Sequence, residues 1–244
     1  MIITVEEIKK LKEIPNSGYE HIKVEFLFHS NKLEGSTFTR ENLERYLKEN
    51  IVEGSHDVDD VFETINSTEL FDFVVETLDE PISVRLLHEF HQLLKKNTKD
   101  QARGFVGGWK KIPNMILGVQ GQLDLAQPFE VPLRIDALLQ DWNAREKDFD
   151  AIMKFHTEFE KIHPYQDGNA SLTKMKRNVE SLVETDNHNF SAKNEQYRSH
   201  DGRVGRFLMF KQCVENSVDL ISIDEKYSDE YKQGLFIAQT TGDF

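Results

Sequence analysis

Cysteine is almost missing from this 244-residue chain: Cys213 stands alone, so no internal disulfide can form. Its neighbours Phe207, Leu208, Phe210 and Val214 predict a buried helix thiol, to which no chemistry is assigned. Proline and glycine are also scarce, at 6 and 13 residues, and so few breakers favour long helices. No apolar run approaches membrane-spanning length, and the charges in Met1-Ile-Ile-Thr-Val-Glu-Glu-Ile-Lys-Lys fall where a signal peptide needs its apolar core. A cytoplasmic protein is therefore expected. Basic residues are outnumbered 30 to 43, and a net charge of -13 repels a phosphate backbone, which argues against broad nucleic-acid binding. With 38% hydrophobic residues the chain can bury a core of its own and is expected to form one compact unit.

The apolar residues recur at helical spacing over most of the length. Thr4 with Glu7 reads as a capping box for a helix through Val5, Ile8 and Leu11 that Pro15 ends. A second helix is expected from about Tyr19 to Leu33, stopped by Gly35, Ser36 and Thr37, and Thr39 caps a third through Leu43, Tyr46 and Leu47. Val58, Val61, Phe62 and Ile65 mark a fourth; Ser83 caps a fifth carrying Leu86, Leu87, Phe90, Leu93 and Leu94. From Asn97 to Gln127 the helical period fails among glycines, and Met115, Ile116, Leu117 and Val119 suggest a short hairpin. Helical pattern returns with Ile135, Leu138, Leu139 and Trp142, and again with Ile152, Phe155, Phe159 and Ile162. The expected fold class is all-α with a small β-hairpin, divided into an N-terminal helical region, 1–78, and a core, 79–244.

That last helix runs into His163-Pro164-Tyr165-Gln166-Asp167-Gly168-Asn169, which places an imidazole, a carboxylate and an amide on one turn. Further on, Gly202-Arg203-Val204-Gly205-Arg206 opens a helix whose two arginines and N-terminal amides suit a polyphosphate. Taken singly these are a turn, a loop and a solvated helix face; their order makes them informative.

Joined, the pieces read H-P-Y-Q-D-G-N and G-R-V-G-R, which resembles the Fic-family signature HxFx[DE]GNGRxxR with Tyr165 in place of Phe. The resemblance covers about Ser83 to Cys213. It implies a mainly helical fold and transfer of AMP from ATP, with magnesium, to a hydroxyl side chain of a target protein. His163 would then be the general base, a task suited to a group of unperturbed pKa ~6.5. Asp167 would hold magnesium. Asn169 and the backbone around Gly168 and Gly202 would bind the α-phosphate, with Arg203, Gly205 and Arg206 around the outer phosphates. Pro164 and Tyr165 are expected to pack. The hairpin resembles the family's target-docking flap, with Gly108, Trp109, Lys110, Lys111 and Ile112 offering a strand edge to an extended segment of a partner. In the same stretch Trp109 reads as a packing anchor, and Lys110 and Lys111 alternatively as solvated charges.

Residues Ala170 to Asp201 interrupt the signature. Closing such a loop costs roughly 3 kcal/mol plus a constant, which a folded body tolerates. Leu172, Met175, Val179, Leu182 and Val183 share one helical face within it. In an unsplit reading Ala170, Ser171 and Lys174 stand in the signature's place, giving a degenerate site. Near the N-terminus, Ser30-Asn31-Lys32-Leu33-Glu34-Gly35 resembles the family's inhibitory motif [ST]xxxE[GN]. This implies that Glu34 pairs with Arg206 and denies it to the γ-phosphate; the simpler reading is a glycine-capped helix end.

His88-Glu89-Phe90-His91 lacks the four-residue spacing of zinc-binding histidines, so no zinc is assigned, and His200-Asp201 alone does not make a metal phosphohydrolase. Two classes stay open: an autoinhibited nucleotidyl transferase, with self-modification and homo-oligomers compatible, or a catalytically silent binding protein of the same fold.

Overall fold

The computed structural model describes residues 1–114, 116–118, 121–123, 125–166 and 201–242. Eight helices lead to the first half of the split signature: α1 (Val5–Lys12), α2 (Gly18–Leu33), α3 (Arg40–Glu49), α4 (Val58–Glu76), α5 (Val84–Leu94), α6 (Lys99–Ala102), α7 (Val131–Ala144) and α8 (Phe149–Ile162). Beyond the second half come α9 (Asp201–Glu215), a 3-10 turn (Glu225–Tyr227) and α10 (Ser228–Thr241). The caps read from sequence are present. Thr4 and Glu7 exchange side-chain and backbone bonds, Thr39 does so with Asn42, and the Ser83 hydroxyl accepts from the Leu86 amide.

α9 is the axis of the molecule. It packs on α8, α4, α2 and α5, and every side chain from Gly202 to Val214 is buried. Phe207 and Phe210 meet Phe26 of α2 at ring centroids of 4.9 and 5.1 Å, and Phe71 of α4 closes the cluster 4.9 Å from Phe210. Each such buried ring is worth ~1.5–3 kcal/mol. A helix enclosed on all sides also encloses its polar residues, so Arg203, Arg206 and Lys211 need partners inside the protein.

The hairpin suggested by the sequence is present. β1 (Ile116–Gly118) and β2 (Gly121–Leu123) pair antiparallel with Leu117 opposite Gln122. Met115 and Val119 lie outside the described residues, as does the helix expected between Leu172 and Val183. The 3-10 turn and α10 are not marked by any strong periodic signal in the sequence. Among the described residues, no helix is long and apolar enough to cross a membrane.

Candidate functional site

Asp148 caps the start of α8 by accepting from the Ala151 amide at 2.8 Å, and the helix ends where His163 turns left-handed, with φ 49 and ψ 66. An L-residue there costs ~1–3 kcal/mol, a strain that the surroundings must hold and that marks functional sites. They hold it well. Lys110 donates its amide to Pro164 O at 2.8 Å and its ammonium to Ile162 O at 3.2 Å. The Gln166 side chain accepts from the amides of Lys111 and Ile112 at 3.2 and 3.0 Å, and Asn114 donates to Tyr165 O at 2.8 Å. Tyr165 is buried and stacks on His91, centroids 3.9 Å apart, while Trp109 sits 4.1 Å from His88 and 5.6 Å from Tyr165.

Two expectations are corrected by this loop. Gly108 to Ile112 do not form the strand edge; they are the irregular loop that grips the His163 turn, and the strands lie beyond them. Lys110 is no solvated charge but a buried tie whose ammonium donates to the Ile162 carbonyl that the end of α8 leaves open.

The second half of the signature arrives on a helix that packs along α8, the helix that leads into the first half. A Cβ on Gly205 would overlap the Glu160 carboxylate and lie 3.2 Å from the His156 ring, so the first turns of α9 rest closely against α8 at a position where any side chain must displace Glu160. Asp167, Gly168 and Asn169 lie outside the described residues. Arg203 is buried and paired with Glu63 of α4. Glu63 also accepts from Lys95, which reaches Asp100 at 3.0 Å. Arg203 is thus drawn through Nη2 into an interior ion network.

Arg206 is held differently. Its Nη2 donates to Glu34 Oε1 at 2.8 Å and to Ser30 O at 3.0 Å, and its Nε donates to Ser30 Oγ at 3.0 Å. Glu34 is presented by the end of α2: Gly35 is left-handed with φ 79, its amide donates to Lys32 O at 2.8 Å, and the Ser36 amide donates to Asn31 O at 3.0 Å. These two bonds are the Schellman cap. The glycine-capped helix end and the glutamate aimed at Arg206 are therefore one feature. Gly202 completes it, because a Cβ there would overlap Glu34 Oε1.

Three neighbours of Arg206 carry no sequence signal. The Tyr231 hydroxyl of α10 lies 2.7 Å from His156 Nε2 and also bonds Arg206, and Glu160 lies alongside. A guanidinium only donates, so the hydroxyl must donate onward to the imidazole. Burial and then the Arg206 charge push His156 down to about 3, so it stays neutral. Burial also raises Tyr231. Arg206 remains charged: burial opposes its charge, but Glu34, Tyr231 and Glu160 together offset it and hold the guanidinium above its ordinary range.

With α8, its left-handed histidine and the glycine-bounded loop in place, comparison with protein families is decisive. The Fic/DOC family model matches residues 81–175. Over that stretch the chain is similar to the Fic/DOC family. The matched stretch includes His163 to Asn169 and ends inside the insertion, leaving Gly202 to Arg206 to be placed by the tertiary structure. Solved structures share the fold over nearly the whole chain. A Fic domain-containing signaling protein from Bacteroides thetaiotaomicron has a TM-score of 0.67 at 18% identity, covering 96% of this chain and 75% of that one. Fic-1 from C. elegans has a TM-score of 0.64 at 14% identity, with coverage of 98% and 64%. A Fic family protein from Desulfovibrio desulfuricans gives 0.62 at 19% identity, with coverage of 98% and 66%. The chain thus spans about two thirds to three quarters of the length of the chains in these structures, the C. elegans one being a fragment. No curated protein matches it.

Proposed function

We propose that this Fic domain transfers AMP from ATP to a hydroxyl side chain, on a target protein or on itself, and that Glu34 holds it inactive. The observation that carries this reading is the Glu34 carboxylate seated on Arg206 at the N-terminus of α9. That carboxylate stands where an anion is favoured by guanidinium, helix dipole and two small glycines, and a phosphate oxygen has the same requirements. The site therefore suits a polyphosphate that competes with Glu34. An intramolecular carboxylate competes at a high effective concentration, so ATP binds without Arg206 or in a pose unsuited to reaction.

In the active pose His163 takes the proton of the hydroxyl, whose oxygen attacks the α-phosphorus. The bond to the β-phosphate oxygen breaks, and pyrophosphate leaves under the stabilising charge of Arg206. Asn169 and the Gly202 backbone orient the α-phosphate. Magnesium, with Asp167 as its ligand, would neutralise the phosphates. The loop from Gly108 to Ile112 keeps the histidine in its left-handed pose, and the hairpin beyond it receives the target.

A second reading, a silent binding protein of the Fic fold, is favoured by the engagement of Arg203 with Glu63. One experiment separates the two. Incubation with labelled ATP and magnesium should show weak labelling of the wild type, stronger labelling of Glu34→Gly, and loss of that gain in Glu34→Gly with Arg206→Ala. Absence of label from every form, including a folded chain without residues 170–201, would favour the binding protein.

A further inference from the structure

We propose that His29, Asp224 and Glu225 form a binding site for a zinc-type divalent cation, apart from the nucleotide site. Nδ1 of His29 on α2 faces two carboxylates of the 3-10 turn region: it pairs with Glu225 Oε2 and lies 4.0 Å from Asp224 Oδ1. The three donor atoms all lie within 4.8 Å of one another, close enough for one ion to draw them into a single shell. One imidazole with two carboxylates is a donor set that zinc accepts, leaving its fourth position to water.

The donors are already oriented. Asp224 Oδ1 caps the 3-10 turn by accepting from the Lys226 amide at 3.1 Å and retains a second lone pair, while the Lys226 ammonium occupies Oδ2 at 2.7 Å. On the far side of the ring, Nε2 lies 3.4 Å from Glu25 Oε2 and 3.5 Å from Arg40 Nη2, which donates to the same carboxylate oxygen at 3.1 Å and so fixes it. A carboxylate behind a ligating histidine sets its tautomer and strengthens its donor atom. The carboxylates are 34% and 38% exposed, so an ion has a way in, whereas the histidine is 14% exposed and held by its helix. His29 immediately precedes Ser30, so a bound ion would fasten the turn leading into α10 to the segment of α2 that engages Arg206. That regulatory consequence rests on the reading of Glu34 as inhibitory. Binding itself does not.

The test is calorimetric titration of the chelator-stripped full chain with zinc, without nucleotide, in the wild type, His29→Gln, Glu225→Gln and Asp167→Asn. One zinc per chain is expected in the wild type and in Asp167→Asn. Affinity should fall at least ~10-fold in His29→Gln and in Glu225→Gln. Millimolar magnesium should not displace the ion, because magnesium favours oxygen donors over imidazole. Melting in chelator should be alike for wild type and at least one of the two site variants, showing that loss of binding is not loss of fold. A wild type without a one-to-one site, unchanged affinity in both variants, or ready displacement by magnesium would each overturn the proposal and leave a proton-bridged ion pair. Because no step uses ATP, failure here is distinct from failure of the transfer reading.

Discussion

Arg203 and Arg206 stand one turn apart on α9, yet each is held by a carboxylate from a different helix, and the two contacts have different meanings. Glu63 serves both Arg203 and Lys95 in the interior. Removing one member of a buried ionic cluster leaves charge without compensation, so Glu63→Ala should cost ~3–5 kcal/mol, read from the denaturant midpoint. A loss below ~1 kcal/mol would show that the network is hydrated instead. His163→Ala should abolish nucleotide transfer by Glu34→Gly while ATP affinity, measured by calorimetry, stays largely intact, because the base acts on the hydroxyl and not on the nucleotide. Loss of affinity with retained transfer would assign it another role. At this scale the sequence was legible only where residues stand in a motif. His163, Arg206 and Glu34 could be named, whereas Glu63, His156 and Tyr231 sit on ordinary helix positions and gain importance from what is packed against them.

Elements show the same division. Caps, helix periods and the glycine-rich interruption depend on residues within a few positions of each other, and so α1 to α5, α7 and α8 could be read directly. The junction between α8 and α9 could not. It depends on Gly205, where an added Cβ would meet Glu160 and His156. Gly205→Ala should therefore separate the two helices, at ~1–3 kcal/mol of overpacking strain seen in the thermal midpoint. An unchanged midpoint would mean that Glu160 swings aside freely. Gly35→Ala forces a side chain into a left-handed cap at φ 79, which should cost ~1–2 kcal/mol. Because that cap aims Glu34, the same variant should raise transfer activity, and a stability loss with no gain in labelling would separate the cap from inhibition. The loop from Gly108 to Ile112 was misplaced by sequence reasoning: lysines next to glycines suggest an exposed edge, but the open carbonyls at the end of α8 draw Lys110 inside.

For the molecule as a whole, the neutral buried His156 makes stability depend on pH. Its folded value of about 3 lies below the ordinary 6.5, so between these values the unfolded chain takes up a proton that the folded chain refuses. The stability it contributes is complete above pH 6.5 and declines on acidification, with a limiting slope of ~1.4 kcal/mol per pH unit. His156→Gln should flatten the profile of the denaturant midpoint between pH 6.5 and 4; an unchanged slope would place the acid sensitivity elsewhere. Deleting residues 170–201 rejoins Asn169 to Gly202, and should leave a folded chain with equal or higher transfer activity. A folded but less active product would make the inserted segment part of the catalytic device.

The sequence by itself determined the helical class, most helix boundaries and the chemical parts of the site, because these are written in short-range patterns: caps, periods and a motif order that survives interruption. Only the tertiary structure decided that α9 packs along α8 and that Arg203 turns inward to Glu63, while Glu34 rests on Arg206 across 172 residues of chain, the pairing that the motif resemblance implies. Such pairings follow from burying α9 on all sides, which obliges each of its charges to find a partner inside, and for Arg203 no local pattern records which partner that will be.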